Sequence, residues 1–308
     1  MSVLKNKSSI ALITGIIVLL LLIPIWYITL APSIMASEIE KIDSTTSYEG
    51  NIKGEICRLL YGVEKKEEIQ ITVTVHLYAE AVEGDNVIVK MNTKMVNRTD
   101  TEEALSDFDQ DLTYVFNKFT RENDPNATAA DKPREGYDPV YPSHLKKGEN
   151  FTTWFDPLNT TGTLEFKGSI LEEGITLYRY SGSKTLTNTV FMNMFTDCTV
   201  SFARTVLVEP LSGLPVYYEN ETLCVKLERV GLPSRLLLYL TYESTDESKT
   251  QGIADAKAAY DGVQLLELYL PTILGVIATI LLIGLAFNIR RLKRKMASSA
   301  KPAKSSST

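Results

Sequence analysis

The chain has 308 residues, 44% of them hydrophobic, with 38 acidic against 32 basic side chains and a formal net charge of −6. Nine of the basic residues lie in the two terminal tails, which leaves the stretch between them at about −15. A surface so acidic excludes nucleic acid as a partner, because phosphate binding needs a basic face.

The first nine residues carry Lys5 and Lys7 and no acid, and from Ile10 to Ala36 there is no charge at all. The spacing predicts a transmembrane helix over 10–31, since about 20 apolar residues cross about 30 Å of hydrocarbon with every amide bonded internally. Ile34-Met35-Ala36 resembles a cleavage site, but the apolar run far exceeds the roughly 7–15 residues of a signal peptide core, so retention as an anchor is expected. Trp26 and Tyr27 near its outer end fit an aromatic belt at one interface.

Residues 32–243 read as a β-rich domain outside the membrane. Ile69, Ile71, Val73, Val75 and Leu77 alternate with polar residues, the signature of a half-buried strand. A turn at Glu83-Gly84-Asp85-Asn86 leads to a return strand, Val87–Val96. Further strands are predicted at Leu112–Phe119, Thr163–Ile170, Ile175–Tyr180, Val200–Val208, Val216–Tyr218, Leu223–Val230 and Leu236–Tyr242. Short strands at this spacing predict a mainly β fold, an antiparallel curved sheet, sandwich or barrel-like array flanked by N- and C-terminal transmembrane α-helices. Between them, Arg121 to Lys147 holds four prolines and little periodicity, and reads as a mobile surface loop, a lid or an insertion.

Asn97, Asn126, Asn150, Asn159 and Asn220 open Asn-x-Ser/Thr triplets, which mark N-glycosylation sites on the outer side; a sixth at Asn6 would face the cytoplasm unused. Of the three cysteines, Cys198 and Cys224 lie on neighbouring predicted strands and are the expected disulfide, with pairing to Cys57 left open. Asp107, Asp109 and Asp111 would share one face of a strand, where their repulsion invites a calcium ion. This is a weak metal candidate, because Leu112 and Lys118 stand where an EF-hand needs glycine and glutamate. His76 and His144 have no carboxylates at ligand spacing, and no nucleophile elbow, phosphate loop or His-Glu-x-x-His motif occurs, so no enzyme and no cofactor is expected.

Ser244 to Glu247 has capping-box spacing, and Ile253, Ala256, Tyr260, Val263 and Leu266 then recur at helical intervals. A stalk helix over 244–267 is predicted to enter a second span over 268–289, bent near Pro271, with the small pair Gly275 and Thr279 offered for packing against the first span. The tail 290–308 carries seven cations and no acid. Cationic flanks stay in the cytoplasm, so both termini, 1–9 and 290–308, are expected there and 32–267 outside.

Trp154-Phe155-Asp156-Pro157, the strand Leu177-Tyr178-Arg179-Tyr180, the turn Glu209-Pro210-Leu211-Ser212-Gly213 and the run Ile253-Ala254-Asp255-Ala256-Lys257 stand between two spans. Together they resemble the actinobacterial and archaeal envelope family labelled porin PorA. The resemblance implies a two-span membrane protein and carries no catalytic residue. A membrane-anchored structural or interaction protein of the envelope is the expectation, with lipid or apolar-ligand binding as the alternative. Membrane lipids, an envelope protein or a second copy are the expected partners.

Overall fold

A computed structural model describes residues 7–61, 68–98, 104–192 and 194–299. In chain order, α1 (Lys7–Ile25) passes through a π-helical stretch (Trp26–Leu30) into α2 (Ala31–Ile39), followed by β1 (Asp43–Lys53) and the short α3 (Glu55–Tyr61). Then come β2 (Ile69–Glu83), β3 (Asn86–Asn97), β4 (Gln110–Asn117), β5 (Phe151–Phe155), β6 (Thr160–Glu172), β7 (Ile175–Phe191), β8 (Phe195–Val208), β9 (Pro215–Leu227) and β10 (Arg235–Ser244). The chain ends in α4 (Asp246–Gln264), a second π-helical stretch (Leu265–Tyr269) and α5 (Leu270–Ser299). Two compact units result, Met1–Met35 with Gly262–Thr308, and Ala36–Asp261.

In the helical unit, two helices are long and apolar enough to cross a membrane. They pack through Gly15 against Leu281 and Gly284 against Leu12. Gly275 faces open space and Thr279 Oγ1 donates instead to the Gly275 carbonyl at 2.9 Å, so the expected Gly275–Thr279 face is not the packing face. The π-helical stretches have a local cause and use. Pro24 lacks an amide proton just before the first, and Pro271 follows the second. The looser ladder leaves carbonyls free, and the Leu266 and Glu267 carbonyls accept hydrogen bonds from Trp26 Nε1 at 2.8 Å and Tyr27 OH at 2.9 Å.

The other unit is one ten-stranded antiparallel sheet in the order β4-β3-β2-β1-β10-β9-β8-β7-β6-β5. Inward side chains from both halves meet in one core, where Phe155 of β5 packs edge-on to Phe202 of β8 at 5.0 Å. The sheet therefore curls until its first and last strands approach, and Tyr114 of β4 hydrogen-bonds Asp156, just beyond β5. Residues 121–147 complete the closure. Asn123 bridges to Phe116 beside β4, and Tyr137 bridges to Thr153 of β5, with Asn123 N bonded to the Gly136 carbonyl at 2.9 Å. The proline-rich segment is thus a fixed seam between two sheet edges, with Arg134, Asp138, Val140 and Tyr141 buried, and not the loose lid its composition suggests.

Three further expectations are corrected. Val216–Tyr218 and the first part of Leu223–Val230 belong to the single strand β9, which ends at Leu227, while β1 and β5 are strands that periodicity did not reveal. Cys198 and Cys224 are free thiols. Cys198 pairs in register with Leu227, and Cys224 with Ser201 three residues on, so their side chains point to opposite faces of the sheet and no bridge can form. Asp107 lies in a 3-10 turn and Asp109 beyond it, before β4 begins, so the three aspartates do not share a strand face.

Candidate functional site

Helix α4 starts where Thr245 Oγ1 accepts the Ser248 amide at 3.2 Å. Thr245 is the cap in place of Ser244, whose hydroxyl instead accepts the Tyr218 amide at 2.9 Å. Gly252 lets the helix lie against β9, since a Cβ there would stand 2.0 Å from the Val216 carbonyl oxygen. Ile253, Ala256 and Tyr260 then cover Ile175, Leu177, Leu207 and Tyr217 on the outer side of the sheet.

Where the first turns of α4 meet the start of β1 and the 139–140 and 214–218 segments, a cleft of about 740 Å³ opens. Its walls are mixed. Val75, Leu77, Met91, Val140 and Leu214 give apolar surface, Tyr48, Tyr217 and Tyr218 give aromatic surface, and Asp43, Glu247 and Asp255 stand among its polar groups.

Two of those tyrosines belong to a buried polar cluster. Arg204 of β8 donates from Nε to Glu221 at 2.8 Å and from Nη1 to Asp138 at 2.9 Å, and Glu221 also accepts the Tyr242 hydroxyl. The guanidinium stands 5.2 Å from the Tyr218 ring centre, and Tyr48 packs on Tyr218 and Tyr242 at 5.9 and 5.4 Å. Burial pushes the Asp138 carboxyl up to about 7, against the opposing pull of Arg204. Burial alone would lower Arg204, but Glu221 and Asp138 hold it well above the usual guanidinium range.

The motifs singled out in the sequence organise two neighbouring networks. Asp156 of the Trp-Phe-Asp-Pro segment accepts from Arg134 at 3.1 Å and pairs with Lys132 at 2.9 Å. Burial disfavours its charge, but Arg134 and Lys132 outweigh that and draw its carboxyl below the ordinary range. In the Glu-Pro-Leu-Ser-Gly turn, Glu209 accepts the Leu211 and Ser212 amides at 3.0 and 2.6 Å, and Arg121 donates into the turn at the Ser212 carbonyl. Burial pulls Arg121 down to about 10, with Glu209 opposing. Within these networks the charged groups satisfy one another, and the Arg204 cluster meets the cleft through Tyr48 and Tyr218.

Of the predicted sites, Asn126, Asn150, Asn159 and Asn220 are exposed and Asn97 is half-buried at the end of β3, while Asn6 lies outside the described residues. Asp109 accepts the Met95 amide at 3.1 Å and Asp111 accepts Asn92 Nδ2 at 2.5 Å. Among the described residues no His, Cys, Asp or Glu cluster is set to hold a metal, the aspartate triplet included. His76 bonds Asp43 at 2.8 Å on the surface. Sequence reading missed Arg204, although it was visible. It is the one charge in the inward run Val200, Phe202, Arg204, Val206, Val208.

No curated protein matches the chain. A family comparison is more informative, because its match runs from within the first long helix, across the whole sheet, to within the last one. Over residues 12–287 the sequence fits the family described as Porin PorA, and the chain belongs to that family.

Proposed function

We propose that this is a membrane-anchored structural or interaction protein of the cell envelope, acting through the outside of its β domain. Both long helices span the membrane, the tails 1–9 and 290–308 lie in the cytoplasm, and the outer domain carries glycans at Asn97, Asn126, Asn150, Asn159 and Asn220. One observation carries the reading: the hollow of the curled sheet is filled by the chain's own side chains. Phe155, Leu164, Tyr180, Phe202, Val206 and Val225 are fully buried there, which leaves the surface as the working part. The buried charges support a non-enzymatic role, since Arg204, Asp138 and Glu221 are engaged with one another. Photocrosslinking from the outer domain in whole cells tests it: a defined neighbour, protein or lipid, is expected, and recovery of the monomer alone would overturn it.

A second reading, binding of a lipid or other apolar ligand, is favoured by the cleft, whose roughly 740 Å³ and mixed walls match small-molecule sites. Native mass spectrometry of the purified chain should then show a co-purifying ligand that Leu214→Trp, which fills the cleft, displaces. Identical ligand-free spectra for both forms would sink it.

A further inference from the structure

Register places the cleft at the end of the sheet's inward face. Across β1 and β2, Ser44 opposes Leu77, Thr46 opposes Val75 and Tyr48 opposes the core residue Val73, and across β2 and β3 Leu77 opposes Met91. Directly opposed residues share a face, so this row continues the core out to the first turns of α4. Val140 is buried there and Leu77, Met91 and Leu214 are half-buried, whereas Asp43, Glu247 and Asp255 are exposed. The cleft is therefore apolar within and acidic at its rim.

From this we propose that the occupant is an amphiphile bearing an ammonium group and no anionic group. The inference rests on the second reading above, a ligand in this cleft, and names its class. Among the described residues that line the cleft there are three carboxylates and no Lys, Arg or His. Glu247, Gln251 and Asp255 follow at four-residue intervals along one side of α4, with Gln251 Nε2 donating to Asp255 at 2.7 Å. The cations of the surrounding elements are already paired. Lys249 meets Glu243 at 3.4 Å and Asp246 at 3.8 Å, Lys90 meets Glu80 at 2.7 Å, and Lys41 meets Glu38 at 3.0 Å. Arg179 is held by Glu219, and Arg204 by Asp138 and Glu221. Lys257, two residues beyond Asp255, lies on the side of α4 away from the cleft. His76 engages Asp43 at 2.8 Å, but neither Glu247 nor Asp255 is ion-paired among the described residues. Two unpaired carboxylates at one lip attract an ammonium group and repel a carboxylate, sulfate or phosphate. The walls then choose an amphiphile over a bare cation. The acids are not grouped to hold a metal ion, while Leu77, Met91 and Leu214 accept an alkyl body and the tyrosine rings suit an organic cation.

The test uses the full chain in phosphatidylcholine nanodiscs, titrated calorimetrically with the heat of empty nanodiscs subtracted. The probes are octyltrimethylammonium, octyl glucoside, octanesulfonate and tetramethylammonium, each below its micellar concentration. The octyl cation should bind about tenfold or more tightly than the glucoside, and the sulfonate and tetramethylammonium should bind more weakly still. Glu247→Gln with Asp255→Asn should bring the octyl cation down to the level of the glucoside and leave the glucoside unchanged. Asp246→Asn removes a charge from the same helix turn but outside the cleft, and should change neither affinity by more than about twofold. A sulfonate that binds as well as the octyl cation, or a cation preference that survives the double substitution, would overturn the proposal and leave the cleft reading standing. Tetramethylammonium binding as tightly as its octyl relative would do the same. If no octyl probe binds and Leu214→Trp alters no titration, the cleft reading itself fails.

Discussion

Arg204 is the residue on which the interior polarity converges, with Asp138 and Glu221 as its two buried counterions. Arg204→Met strands both carboxylates in the core, and urea unfolding of the solubilised chain should show a loss of about 3–5 kcal/mol. Asp138 sets a pH dependence of definite sign. Its folded value is about 7 against an unfolded value of 3.8, so the folded state holds the proton more tightly. Its stabilising contribution is therefore complete below about pH 4 and is lost as pH rises through about 7. Asp138→Asn should remove this downward slope between pH 4 and 7, and an unchanged slope would assign it elsewhere. Gly213 has φ +69°, and a Cβ there would stand 2.4 and 2.5 Å from the Pro142 and Tyr141 carbonyl oxygens. Gly213→Ala should cost about 2 kcal/mol or more in the same measurement. At this scale the turn was legible and its partner was not. Glu-Pro-Leu-Ser-Gly announces a reversal, whereas the arrival of Arg121 from some 90 residues away is a tertiary fact.

At the scale of elements, strands with an apolar inward face declared themselves, as β2 and β8 did. β1 did not, because Asp43 to Lys53 is almost wholly polar and becomes a strand by pairing with β2 and β10 on both sides. The seam at 121–147 was misread for a related reason. Its buried groups are Arg121, Asn123, Arg134 and Asp138, which look like loop residues until ion pairs satisfy Arg134 and Asp138 and backbone carbonyls accept from Arg121 and Asn123. The cysteines show the limit of adjacency as a guide, since neighbouring strands permit a disulfide only when register puts both thiols on one face. Burial pushes the Cys57 thiol up to about 11, and that buried thiol should react with maleimide far more slowly than half-buried Cys224 in the folded chain. For α4, Thr245→Ala should cost about 1 kcal/mol through the lost cap, and Ser244→Ala should act instead through the Tyr218 amide of β9.

The whole molecule joins two kinds of surface. Its two long helices are apolar for the length of a bilayer, while the outward faces of the strands carry Glu165 and Lys167 on β6 and Ser183, Thr185 and Thr187 on β7. A sheet that crossed lipid would need an apolar outward band about 25 Å tall, and these two strands are polar there, whereas the two long helices of this member of the Porin PorA family are apolar enough to cross a membrane. The two long apolar helices were the most legible part of the sequence, because uncharged runs report on solvent directly and need no tertiary information. The central claim is that the β domain faces outward while both tails stay inside. Its most direct test is labelling of intact cells with a membrane-impermeant maleimide, comparing Asn220→Cys on β9 with Ser298→Cys in the basic tail, both in a Cys224→Ser chain. The account predicts prompt labelling at 220, and labelling at 298 only after the cells are broken; the reverse pattern would contradict it.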